Sequence, residues 1–130
     1  MKIKALIMSL VVMLLSYSPL ALAAKADPIL HQPLHSEMSF DKAKKLITIA
    51  AAKRKWVVSE ESDGVLVGNL QVRSHFVSVE IRVQKNSYDI LYRDSENMKY
   101  RPDGTIHRKY NGWVGNLNRD IQSDLLKASL

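Results

Sequence analysis

Asp94, Ser95, Asn97 and His107 come nearest to a nucleophilic site, with a serine beside an acid and an imidazole downstream. A hydrolase of that kind needs the imidazole on the hydroxyl and a carboxylate on the imidazole. The chain has no cysteine and no Gly-x-Ser-x-Gly elbow to offer another nucleophile. The preferred reading of Asp94-Ser95-Glu96-Asn97 is a capped turn after an edge strand, because these side chains bond their own backbone. Glu60 and Glu61 are adjacent, so on a strand they face opposite sides and cannot form the facing carboxylate pair of a glycosidase.

His31 and His35 have the spacing that would let two imidazoles on one helix face bind zinc, but Pro33 between them opposes that helix. His75 is expected to point inward and His107 to sit at a helix start. No acid at a diagnostic spacing completes a metal site, and neither a metal nor another cofactor is expected. Tyr92, Tyr100, His107, Tyr110 and Asn111 could line a polar aromatic cleft, the default place for a ligand. With Asp94, Ser95 and Asn97 they make the candidate partner-binding set. The plainer reading puts these tyrosines at core edges with their hydroxyls in water. Lys42, Lys44, Lys45, Lys53, Arg54 and Lys55 could dock on anionic envelope polymers, although a lysine-rich helix face is ordinarily just solvated.

Such residues need elements to hold them, and the chain first declares where it works. Lys2 and Lys4, an apolar run from Ala5 to Leu15 broken by Ser9, and small residues through Ala23 spell a secretory signal peptide. The expected cut follows Ala23, and the apolar core is too short to span a bilayer. Without cysteine, no lipid anchor and no disulfide are expected. Loss of Lys2 and Lys4 lowers the formal charge from +6 to +4. Outside the inner membrane, that basic balance points to anionic lipids and wall polymers rather than nucleic acid. The mature length allows one domain, here residues 39–130, preceded by an extended, mobile arm over 24–38 containing Pro28 and Pro33.

Ser39 is a helix N-cap with Asp41 in the first turn. Phe40, Ala43, Leu46, Ile47, Ala50 and Ala51 give a helix to about Arg54 one buried stripe. From Trp56 the period changes to two, predicting strands Trp56–Glu60, Val65–Arg73, Ser74–Gln84 and a fourth carrying Tyr88, Ile90 and Tyr92. Asp63-Gly64 turns the first hairpin. Its register stays open: an even loop buries Val57, and an odd, bulged loop buries Trp56 and Val58. Gly68 lies beside Leu70 and Val72, where a helix backbone could approach. Ile106, Tyr110, Trp113, Val114, Leu117, Ile121 and Leu125 predict a final helix from Ile106 or His107 to about Lys127, with Trp113 buried. The expected fold is α+β, a two-layer sandwich in which a four-stranded antiparallel meander carries two helices on one face, in the order α-β-β-β-β-α.

The run from Tyr88 through Tyr92, Asp94, Ser95, Asn97, Met98 and Tyr100 to Ile106, His107, Tyr110, Asn111, Trp113 and Val114 resembles a family of small exported proteins and lipoproteins of proteobacteria. The similarity also takes in Arg73, His75 and the joint at Arg54 to Trp56. It implies a compartment and a shape but no reaction. Relatives tend to have glycine where this chain has Lys55, which implies a left-handed residue at that helix end. The function expected is a non-catalytic binding module of the periplasm. Its partner would be an envelope protein or an anionic envelope polymer, met through the wet sheet face or the tyrosine-rich end. A hydrolase using Asp94, Ser95 and His107 ranks second, and a histidine-based metal carrier third.

Overall fold

The computed structural model describes residues 23–130. The signal-peptide reading therefore falls almost wholly outside the described residues. Nine elements follow in order: β1 (Ala23–Lys25), β2 (Ile29–Pro33), α1 (Phe40–Ala52), β3 (Val57–Ser62), β4 (Val65–Val72), β5 (His75–Val83), β6 (Ser87–Glu96), β7 (Thr105–His107) and α2 (Lys109–Ser129). The fold is α+β with antiparallel sheets.

Strands β3 to β6 form the expected meander, but the sheet has five strands in the order β2-β6-β5-β4-β3. The fifth comes from the segment read as a free arm. Ile29 pairs with Ile90 and Pro33 with Ser87, the His31 amide donates to Asp89 Oδ1 at 2.8 Å, and Leu34 is buried in the core. Proline is tolerated because β2 is an edge strand. β1 pairs with β7 in a separate two-stranded ribbon. That ribbon corrects the start of the last helix: Ile106 is buried as a strand residue, the His107 amide donates to Met98 O at 2.8 Å, and the helix begins only at Lys109.

Helix α1 starts as the residues dictate, with Ser39 Oγ accepting from the Lys42 amide at 3.2 Å and Asp41 in the first turn. Its Ala43, Ile47, Ala50 and Ala51 pack with Leu66, Leu70, Val77, Val79, Ile81 and Ile90 of the sheet, and with Val114, Leu117, Ile121 and Leu125 of α2, in one core. The first hairpin takes the bulged register: the pairing slips between Glu60 and Ser62, Val57 is 68% exposed, and Trp56 is only 2% exposed. Gly68 admits the Trp56 ring rather than a helix backbone. A Cβ there would lie 3.5 Å from Trp56 Cε3 and 3.3 Å from Val79 Cγ2. Gly112 and Gly115 face open space, so plain tolerance accounts for them.

Candidate functional site

The end of α1, the β4–β5 turn and the first turns of α2 meet at one corner. Helix α1 closes with the Lys55 amide donating to Ala52 O (3.0 Å) and the Trp56 amide to Ala51 O (3.1 Å). This back-bonded close needs one left-handed residue, and Lys55 supplies it with φ 68°. Arg73 is the first of the two residues between paired Val72 and His75, and its φ is 55°. Gln71 Nε2 pins this turn by donating to Arg73 O at 2.8 Å and His75 O at 3.0 Å. Both positions ordinarily favour glycine.

Between these two strained residues lies a cleft of about 360 Å³, lined chiefly by Arg54, Lys55, Trp56, Arg73, Trp113 and Asn116. Arg54 is held by Asp120 at 2.6 Å. Among the described residues, Lys55 and Arg73 make no ion pair. Replacing Lys55 by glycine should therefore raise the unfolding free energy by about 1 kcal/mol, because the left-handed backbone then carries no Cβ. Urea denaturation measures it. A lowered midpoint would show that contacts of the lysine side chain outweigh the strain.

The indole of Trp113 is half-buried rather than fully buried, and its ring stands 6.3 Å from that of His75. His75 in turn lies 5.9 Å from His107. His75 Nδ1 donates to Asn97 O at 2.7 Å, and His107 Nδ1 accepts from the Lys109 amide at 3.2 Å. Desolvation holds His107 below its ordinary pKa, helped by the neighbouring His75, Lys109, Lys99 and Arg108. A histidine with a depressed folded pKa stays neutral in the native state while the unfolded chain takes a proton. Stability should therefore fall as pH drops below the ordinary value of 6.5. Thermal melts at about pH 7.5 and about pH 5.5 should show a smaller acid loss for His107→Asn than for the parent chain. Equal losses would remove His107 from the acid response.

The tyrosines do come together, packed ring on ring, with Tyr110 buried and Tyr100 exposed. Tyr92 stacks on Tyr100 with ring centroids 4.0 Å apart and meets Tyr110 edge-on at 5.8 Å. Burial raises the Tyr92 and Tyr110 phenols above their ordinary pKa. The Tyr92 hydroxyl shares a 2.8 Å hydrogen bond with Ser95 Oγ. Asn111 turns away to the N-terminal ribbon, donating to Lys25 O and accepting from the Asp27 amide.

Asp94, Ser95 and His107 are each engaged elsewhere. Asp94 Oδ1 accepts from the Ser95 amide at 2.8 Å, Ser95 Oγ bonds Tyr92, and no hydrogen bond links either to His107. Asp94 and Ser95 are strand residues paired with Ser78 and Val77, which corrects the capped-turn reading. The turn begins only at Asn97, whose φ is 57° and whose Nδ2 donates to Ser74 Oγ. β6 is interior to the sheet, with β2 outside it. Glu60 and Glu61 diverge as expected, toward Lys44 (3.4 Å) and Arg93 (3.6 Å) respectively.

His31, within β2, and His35, in the bend after it, both have left-handed backbone, with φ of 54° and 69°, and His35 Nε2 donates to Gln122 Oε1 at 2.7 Å. Among the described residues no group of three or more potential ligands is placed to hold a metal ion, and no helix is long and apolar enough to cross a membrane. The basic group on α1 and just after it is divided, since Lys44, Lys53 and Arg54 bind Glu60, Asp124 and Asp120. The cleft itself was only partly legible from sequence. Arg54 and Lys55 stand out as basic residues, but nothing local connects them to Arg73, Trp113 or Asn116. Comparison with known family models, curated proteins and solved structures found no match.

Proposed function

We propose that the chain is exported to the periplasm and works there as a non-catalytic module that binds an anionic partner of the cell envelope. The leader and the resemblance to exported proteobacterial proteins support the compartment. The observation that carries the binding reading is the corner cleft. There Lys55 and Arg73 approach one concavity without carboxylate partners, beside the half-buried Trp113. Cations without partners next to an aromatic wall suit attraction and contact, with no nucleophile required. Lys99, Arg108 and Lys109 around the neighbouring His107 extend the positive character of this end.

Two measurements test this. Mass spectrometry of the protein from the periplasmic fraction should find Ala24 at its N-terminus, and an intact precursor in the cytoplasm would overturn export. Mature protein should cosediment with envelope fragments at low salt and be released at high salt, because exposed charge contacts are screened. Arg73→Glu should abolish that retention. Retention unaffected by both salt and Arg73→Glu would overturn the anionic-partner reading.

A further inference from the structure

We infer that the corner cleft binds a single phosphate-bearing sugar unit, with Lys55 and Arg73 on the phosphate and Trp113 against the ring. The inference rests on the anionic-partner reading and gives it a chemistry. Three independent features converge on it. The first is charge: two cations without ion pairs line the same concavity, while Arg54 beside them is already held by Asp120. A doubly charged phosphomonoester matches two free cations better than a singly charged carboxylate does, and the guanidinium fork suits its oxygens.

The second feature is backbone strain. Lys55 at φ 68° and Arg73 at φ 55° occupy left-handed positions in two different turns, after α1 and between β4 and β5, and both line this cleft. Glycine would satisfy either turn without strain. A long cationic side chain at each position adds nothing that the turn requires, and strain at non-glycine residues clusters where side chains serve a ligand.

The third feature is the lining. Both tryptophans of the chain border the cleft, the nearly buried Trp56 as floor and the half-buried Trp113 as wall. Flat indole faces suit the C–H face of a sugar ring. Neutral amides suit its hydroxyls: Gln71 Nε2 is occupied by the turn, leaving Oε1 to accept, and Asn116 Oδ1 is taken by Arg119, leaving Nδ2 to donate. The volume of about 360 Å³ is at the small end for ligand sites and has room for one ring rather than a chain.

Because the only two tryptophans sit at the cleft, their emission reports its occupancy directly. Mature protein would be titrated with glucose 1-phosphate, glucose, inorganic phosphate, and vesicles carrying a phosphosugar headgroup. The expected result is a saturable change with glucose 1-phosphate, and binding of glucose or phosphate alone at least about ten-fold weaker. Response to the vesicles assigns the sugar phosphate to a lipid headgroup, and response only to the free compound assigns it to a soluble source. Lys55→Gly and Arg73→Gly should each weaken binding about ten-fold, while their melting temperatures stay at or above that of the parent. Loss of binding with a raised melting temperature separates a ligand contact from damage to the fold. Equal binding of inorganic phosphate overturns the sugar contact, and equal binding of glucose overturns the phosphate contact. If no compound changes the emission while salt-sensitive retention on envelope fragments persists, the phosphosugar inference falls and the anionic-partner reading stands. If retention is also absent, both fall.

Discussion

Trp56→Ala is expected to lower the unfolding free energy by about 3 to 5 kcal/mol, the range for removing a buried aromatic ring. The ring is 2% exposed, at the joint between α1 and β3, and the missing side chain of Gly68 makes room for it. The surroundings cannot easily collapse into the space, because the backbone on one side is fixed by the α1 closing hydrogen bonds and on the other by the Gly68–Val79 and Gly68–Val58 pairings. Urea denaturation followed by circular dichroism gives the number. A loss under about 1 kcal/mol would place the indole in solvent and restore the even-loop register of the first hairpin. Gly68→Ala probes the same contact from the other side. Its new Cβ would meet Val79 Cγ2 at 3.3 Å, tighter than ordinary packing, so it too should destabilise.

Tyr88→Phe should cost about 1 to 3 kcal/mol despite removing a single oxygen. The Tyr88 side chain is fully buried. Its hydroxyl donates to Asn118 Oδ1 at 2.6 Å and accepts from Gln122 Nε2 at 2.9 Å. Asn118 Nδ2 in turn donates to Gln32 Oε1 (2.9 Å), and Gln122 binds Pro33 O and His35. This polar chain ties β2 to α2, and with the hydroxyl gone Asn118 Oδ1 loses its donor at a part-buried position. Faster amide exchange over residues 31–34 than in the parent would locate the damage at the β2 edge. An unchanged exchange pattern would mean that β2 is held by its pairing to β6 alone. Burial also raises the Tyr88 phenol above its ordinary value of 10. The native state therefore keeps a proton that the unfolded chain releases, and stability should fall as pH rises past that value, less steeply in Tyr88→Phe.

Much of this architecture was legible in advance because long amphipathic elements repeat their burial pattern enough times to be recognised. Val77, Val79 and Ile81 alternate into the core, and Tyr110, Val114, Leu117, Ile121 and Leu125 recur at helical spacing and are all buried. The Asp63-Gly64 turn was legible from backbone chemistry: Gly64 has φ 77°. So was the Ser39 cap.

What the sequence determined by itself, then, is the pair of helices and the meander, each set by contacts between near neighbours. Tertiary structure decided the rest. β1 and β2 are three and five residues long, too short to show a period, and they become strands only because β7 and β6 present open edges to them. The bulge that buries Trp56 was decided by which face α1 and α2 cover. The tyrosines meet because β6, its following loop and α2 converge at one end. The cleft exists because residues near 55, 73 and 115 meet there, and a contact between distant segments leaves no periodic trace in any one of them.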